Sequence, residues 1–134
     1  MSSETEDATY QFSEGFDRKF LEQLYGGDNR IAEEIFRSSL SQVERSLLKA
    51  ESLVREGNIE TLGRIFHHIK PLFGYIGQLN VQDSVQQFED LCMRTDSADE
   101  VPKAFMNISR IIKESMNHLQ KEILKLNEYN NQRA

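Results

Sequence analysis

The stretch DNRIAEEIFRSSLSQVERSLLKAESLVREGN, Asp28 to Asn58, decides the fold. Its apolar residues Ala32, Phe36, Leu40, Val43, Leu47, Ala50 and Val54 recur every three or four positions, the period of a helix with one buried face. Asp28 supplies a side-chain oxygen for the unpaired N–H groups of the first turn. Gly57 ends the helix, because glycine adopts the left-handed conformation of a helix stop without strain.

The same period continues on both sides. Upstream, Phe16, Phe20 and Leu24 mark a short helix closed by Gly26 and Gly27. Downstream, Asn58 caps a third helix with Leu62, Ile65, Phe66, Ile69, Leu72, Phe73 and Ile76 on its stripe. Asn80, with Asp83 three residues on, starts a fourth through Val81, Val85, Phe88 and Cys92. After the polar loop RTDSADE, Pro102 fits the first turn of a last helix through Phe105, Ile108, Ile112, Leu119, Ile123 and Leu126. No segment alternates like a strand, and there is no internal repeat. The expected fold is all-α: an antiparallel four-helix bundle with a short N-terminal helix docked on it. Residues 1–14 read as a flexible acidic arm, 15–128 as the bundle domain, and 129–134 as a frayed tail.

The totals narrow the chemistry. The 134 residues are 38% hydrophobic and 28% charged, enough for one domain with a modest core. A net charge of −6 argues against general affinity for nucleic acid or an anionic membrane. No apolar run approaches the ~20 residues of a membrane span, and the start MSSETEDATY lacks the basic and apolar regions of a signal peptide. The single Cys92 cannot form an internal disulfide. A cytoplasmic protein, monomeric for want of a second long apolar stripe, is expected.

The third helix contains residues that weaken helices. In GRIFHHIKPLFGYIGQ, Gly63 to Gln78, two histidines stand beside a proline and three glycines. On a helical wheel at roughly 100° per residue the apolar positions span about 120°, and His67 falls nearly opposite them. Gly63 and Gly74 fall on the same outer face, where the absence of side chains leaves the imidazole uncrowded and lets another protein approach. Gly77 is nearer the core. Lys70 and Gln78 flank His67, Pro71 lies one turn along, and Arg64 lies round the other side. Pro71 cannot donate to the His67 carbonyl and costs about 3 kcal/mol in a helix interior, which predicts a kink after Lys70 or a break into two pieces. His68 is turned by about 100° towards the flank of the core, the place of a boundary residue that packs or hydrogen-bonds.

An exposed imidazole with a lysine three residues on suits nucleophilic attack on an activated phosphoryl group. The phosphohistidine would bring about −1.5 to −2 charges, which Lys70 and Arg64 are placed to offset. These residues resemble the histidine-containing phosphotransfer family. Its motif has an aliphatic residue two after the histidine, lysine three after, a small residue two turns on, and a glycine ten after. Ile69, Lys70, Gly74 and Gly77 match in that register from His67. Pro71 departs from the family's glycine, and Leu72-Phe73 from its small pair. The helix pattern is similar from about Phe16 to Leu126.

The resemblance implies a relay in a two-component system, not an enzyme with its own kinase activity. His67 would take a phosphoryl group from a receiver-domain aspartate and pass it to another. Lys70 would neutralise the phosphoryl oxygens, and Gly63, Arg64, Pro71, Gly74 and Gln78 would lie on the receiver-docking face. No cofactor is bound by the relay itself; the Mg2+ belongs to the partner receiver. The partners implied are response-regulator receiver domains and a hybrid sensor histidine kinase.

Rival classes find less support. A dinuclear metal enzyme in a bundle needs Glu-x-x-His pairs, but the residues three before His67, His68 and His118 are Arg64, Ile65 and Ser115. One cysteine and no spaced histidine pair argue against zinc, and phosphate-loop signals are absent. The alternative that remains is a helical-bundle adaptor that binds a receiver or another signalling partner without carrying phosphate.

Overall fold

The computed structural model describes residues 9–94 and 96–133. Five helices follow in order: α1 (Arg18–Tyr25), α2 (Asn29–Glu56), α3 (Ile59–Tyr75), α4 (Leu79–Met93) and α5 (Val101–Gln132). No strand occurs among the described residues. α2 packs on α3, α3 on α4, α4 on α5, and α5 back on α2, which closes the four longer helices around one core. Glu51 meets Lys113, Glu44 meets Gln120 and Glu33 meets Asn127, so α2 and α5 run antiparallel. The fold is an all-α bundle with a short helix at its N-terminal side.

The caps at Asp28 and Asn58 are where the sequence puts them: their side chains accept from Ile31 N–H at 3.1 Å and Thr61 N–H at 3.3 Å. α4 starts earlier than expected. Its cap position is Gln78, with no side-chain bond, and Asn80 lies inside the first turn. The core of α1 also differs from the expected Phe16, Phe20 and Leu24. Phe16 precedes the helix and is buried, Leu21 and Tyr25 face inward, and Phe20 and Leu24 are exposed. Asp17 starts the helix by accepting from Phe20 N–H, and that fixes which residues turn inward.

Residues 9–14 and 129–133 are better ordered than their polarity suggests. Of the arm expected at 1–14, residues 1–8 lie outside those described, but Tyr10 and Phe12 are in the core. Phe12 packs near Phe36, and Tyr10 stands edge-on to Phe12 and Tyr129. The Tyr10 hydroxyl donates to buried Glu122 at 2.6 Å, and Ser13 N–H donates to the same oxygen at 3.1 Å. Burial, then the hydrogen bond and charge of Glu122, push the Tyr10 hydroxyl well above the usual phenol range. The expected frayed tail is likewise helix through Gln132, with Asn130 buried and bonded to Asn29 and Glu33; residue 134 lies outside those described.

α3 runs through Pro71 without the predicted break. The pyrrolidine ring is exposed near the C-terminal end, so few turns lie beyond it, and Leu72, Phe73 and Ile76 are buried just downstream. Their burial, at about 1.5–3 kcal/mol per side chain, exceeds the cost of one proline. The end of α3 is closed by Gly77, which has a φ of 70° and donates to the Gly74 carbonyl at 3.0 Å. The Gly77 carbonyl accepts from Asp17 N–H at 2.9 Å, which ties the start of α1 to this turn.

A Cβ on Gly77 would lie 2.7 Å from atoms of the buried Leu21 side chain, and the positive φ disfavours any L side chain. Gly77→Ala is expected to lower the unfolding free energy by about 2–3 kcal/mol, combining left-handed strain with local overpacking. Urea denaturation checks this. A loss below about 0.5 kcal/mol, the scale of an ordinary surface change, would mean that the turn relaxes freely.

Candidate functional site

The site lies where α3 faces α4. His67 is on the surface, with 69% of its side chain exposed, but it is not free. Its Nδ1 lies 2.6 Å from Oε2 of Glu89 on α4. The other oxygen of Glu89 accepts from Lys70 Nζ at 2.9 Å, and Lys70 also donates to Gln86 Oε1 at 2.5 Å. Gln86 in turn donates to Asp90 at 2.8 Å. Gln82, one turn before Gln86, donates to the Lys70 backbone carbonyl at 3.1 Å. A polar row on α4 thus holds both the imidazole and the lysine of α3.

Glu89 is only 7% exposed, and burial by itself would raise its carboxyl. Hydrogen bonds from Lys70 and His67, and then their charge, outweigh burial and hold it below the usual carboxylate range. Glu33, bonded by Asn130, Arg37 and Asn127 at the other helix pair, is lowered in the same way against its burial. A carboxylate whose folded-state value is depressed stabilises the fold fully above its unfolded value and loses that contribution as the pH falls through the folded one. Stability is therefore expected to fall on acidification through and below about pH 4.3, the ordinary glutamate range. In urea titrations, Glu89→Gln should show a shallower fall than the unaltered protein; identical slopes would mean that the Glu89 contacts do not persist in solution.

The two glycines placed on the open face by their spacing are buried instead. A Cβ on Gly63 would lie 3.1 Å from Cβ of Cys92, and one on Gly74 would lie 3.0 Å from Nε2 of Gln82. They clear space for α4, not for the surface of another protein. With Gly63 one turn before His67 and Gly74 one turn after Lys70, α4 comes close enough for Gln82, Gln86 and Glu89 to reach across. Cys92 lies under this contact, and burial, then the charge of Glu89, push its thiol up to about 11.

The other expected residues scatter. Pro71 is exposed. Arg64 is exposed and paired with Glu60, one turn back, and does not bond His67. Gln78 is half-buried at the start of α4. His68 is exposed and makes no hydrogen bond among the described residues, unlike the packed boundary residue expected; it shares a surface groove with Gly63, Arg64, His67, Glu89 and Cys92.

The sequence reading missed Gln82, Gln86 and Glu89, although a signal was present. The three stand at i, i+4 and i+7, each one position after an apolar residue of the α4 stripe: Val81, Val85 and Phe88. A polar row beside the stripe faces a neighbouring helix, not open water. Among the described residues no group of three or more His, Cys, Asp or Glu side chains is placed to hold a metal ion. Nor is any described helix long and apolar enough to cross a membrane. Compared with protein-family models, curated proteins and solved structures, the chain matches none.

Proposed function

We propose that this protein is a histidine phosphotransfer protein of a two-component phosphorelay. His67 takes a phosphoryl group from the aspartyl phosphate of a receiver domain and returns it to the aspartate of another. The observation that carries the reading is an exposed imidazole held through one nitrogen by a buried carboxylate, which leaves the other nitrogen open to a partner. Lys70 supports it: an ammonium has three N–H donors, Gln86 and Glu89 take two, and the third remains for a phosphoryl oxygen. The protein is a carrier with no kinase activity of its own. The receiver brings the Mg2+, and a hybrid sensor kinase is the upstream source. A cytoplasmic monomer suits that role.

The test is to incubate the purified protein with phosphorylated receiver domain and Mg2+ and to follow intact mass at neutral pH. A gain of one phosphoryl group that is lost in acid supports the relay. Binding to a receiver with no mass gain, across several receivers, would replace it with the adaptor reading.

A further inference from the structure

Pro71 stands inside a helix that continues to Tyr75. In an α-helix the carbonyl of each residue accepts from the N–H four residues on, and a proline has none to give. The carbonyl left over here is that of His67 itself. The surface around it is open: Arg64, His67, His68, Pro71 and Tyr75 form one exposed stripe along α3, and Lys70 beside them is half-buried. Donors nearby are engaged elsewhere. Lys70 donates to Gln86 and Glu89 across the contact with α4, Arg64 is paired with Glu60 one turn back, and the Gln82 amide goes to the carbonyl of Lys70. Among the described residues no side chain donates to the His67 carbonyl. The open face of α3 thus carries a backbone acceptor without its helical partner, on the residue whose ring is exposed.

We infer that Pro71, through the His67 carbonyl it leaves free, selects among receivers. One whose docked surface places a side-chain N–H or O–H against that carbonyl is accepted; one that covers it with apolar side chains is rejected. The inference rests on the phosphotransfer reading above and adds to it a condition on the partner that the imidazole does not supply. Ring and carbonyl belong to one residue, and a protein interface covers about 800 Å² on each side. A partner that brings phosphorus to the ring therefore also displaces water from the carbonyl. Water satisfies that oxygen in the free protein. Covering it without a donor weakens binding by on the order of tenfold or more, whereas a donor on the receiver restores the lost bond. Discrimination of this kind is strong because the unmatched partner is penalised, not merely left unrewarded.

NMR of carbon- and nitrogen-labelled protein tests the premise. Couplings across hydrogen bonds pair each helix carbonyl with the nitrogen that donates to it, with Phe66 and His68 as references in the same spectrum. The His67 carbonyl is expected to show no coupling in the unaltered protein and to couple to the nitrogen of residue 71 in Pro71→Ala. A coupling to the His67 carbonyl in the unaltered protein, or none in Pro71→Ala, overturns the inference. The consequence is read by titrating a set of receiver domains against both proteins. Restoring the N–H relieves the receivers that lack a donor, so the ratio of the weakest to the tightest Kd should shrink roughly tenfold. The His67 carbonyl resonance of the unaltered protein should also shift when the tightest receiver is added. Loss of the pyrrolidine contact alone would weaken every receiver alike, so a uniform change, an unchanged ratio or an unmoved resonance overturns the selection. The two readings fail separately. Phosphoryl gain on His67 with an unchanged ratio keeps the relay and removes the role of Pro71. A shrunken ratio with no phosphoryl gain keeps the selecting carbonyl and replaces the relay with the adaptor. No binding by any receiver removes both.

Discussion

Replacing His67 with glutamine is expected to abolish phosphoryl gain from a phosphorylated receiver, while His68→Gln leaves it intact. Both rings are exposed and adjacent, so exposure does not separate them. Direction and anchoring do. Neighbouring helix positions point about 100° apart, and only His67 is tied through Nδ1 to Glu89, beside the ammonium of Lys70. A ring held at one nitrogen presents the other in a defined direction, which lowers the entropy lost when a partner's phosphorus must come into line. Glutamine has no nitrogen lone pair that attacks phosphorus, but its amide still donates a hydrogen bond to Glu89. Stability should therefore change by no more than about 1 kcal/mol, the scale of a single hydrogen bond. Intact mass at neutral pH reads the phosphoryl group, and a helical spectrum with urea denaturation reads the fold. Loss in His68→Gln alone would place the reactive face on the other ring and remove the roles given to Glu89 and Lys70.

The largest stability effect should come from a segment that reads as a tail. Phe12→Ala is expected to lower the unfolding free energy by about 3–5 kcal/mol, the range for removing a buried aromatic ring. Phe12 is 2% exposed, with its ring centroid 5.0 Å from that of Tyr10 and 5.9 Å from that of Phe36. Phe36 itself is fully buried and also faces Phe16 and Tyr25, so the cavity opens inside an aromatic cluster that cannot collapse easily. The neighbouring Tyr10–Glu122 bond would be at risk as well, since the same segment positions Tyr10. Domains of this size are stable by about 5–15 kcal/mol, so the variant would lose a large share. The urea midpoint should fall with little change in slope. A loss below about 1 kcal/mol would mean that the segment is not part of the cooperative core.

The helices themselves were legible in the sequence because their signals are local. The period from Ala32 to Val54, the caps at Asp28 and Asn58 and the stop at Gly57 each depend on residues within a few turns. So does the outward direction of His67, which follows from one wheel. What the sequence alone could not decide depends on which helix comes beside which, and how closely. Gly63 and Gly74 have no side chain to show whether they admit a partner or a neighbour, and only the approach of α4 shows that they admit Cys92 and Gln82. Glu89 reads as one solvated acid among many until it lies across from His67 and Lys70, twenty-two and nineteen residues away. Tyr10 and Phe12 sit in a polar, aperiodic stretch, and their burial is decided by α5 and α2, more than a hundred and about twenty residues on. Local hydrogen bonding and periodicity determine the helices; the partner of a buried side chain is set by packing between segments distant in the chain, and that is where the site acquires its carboxylate.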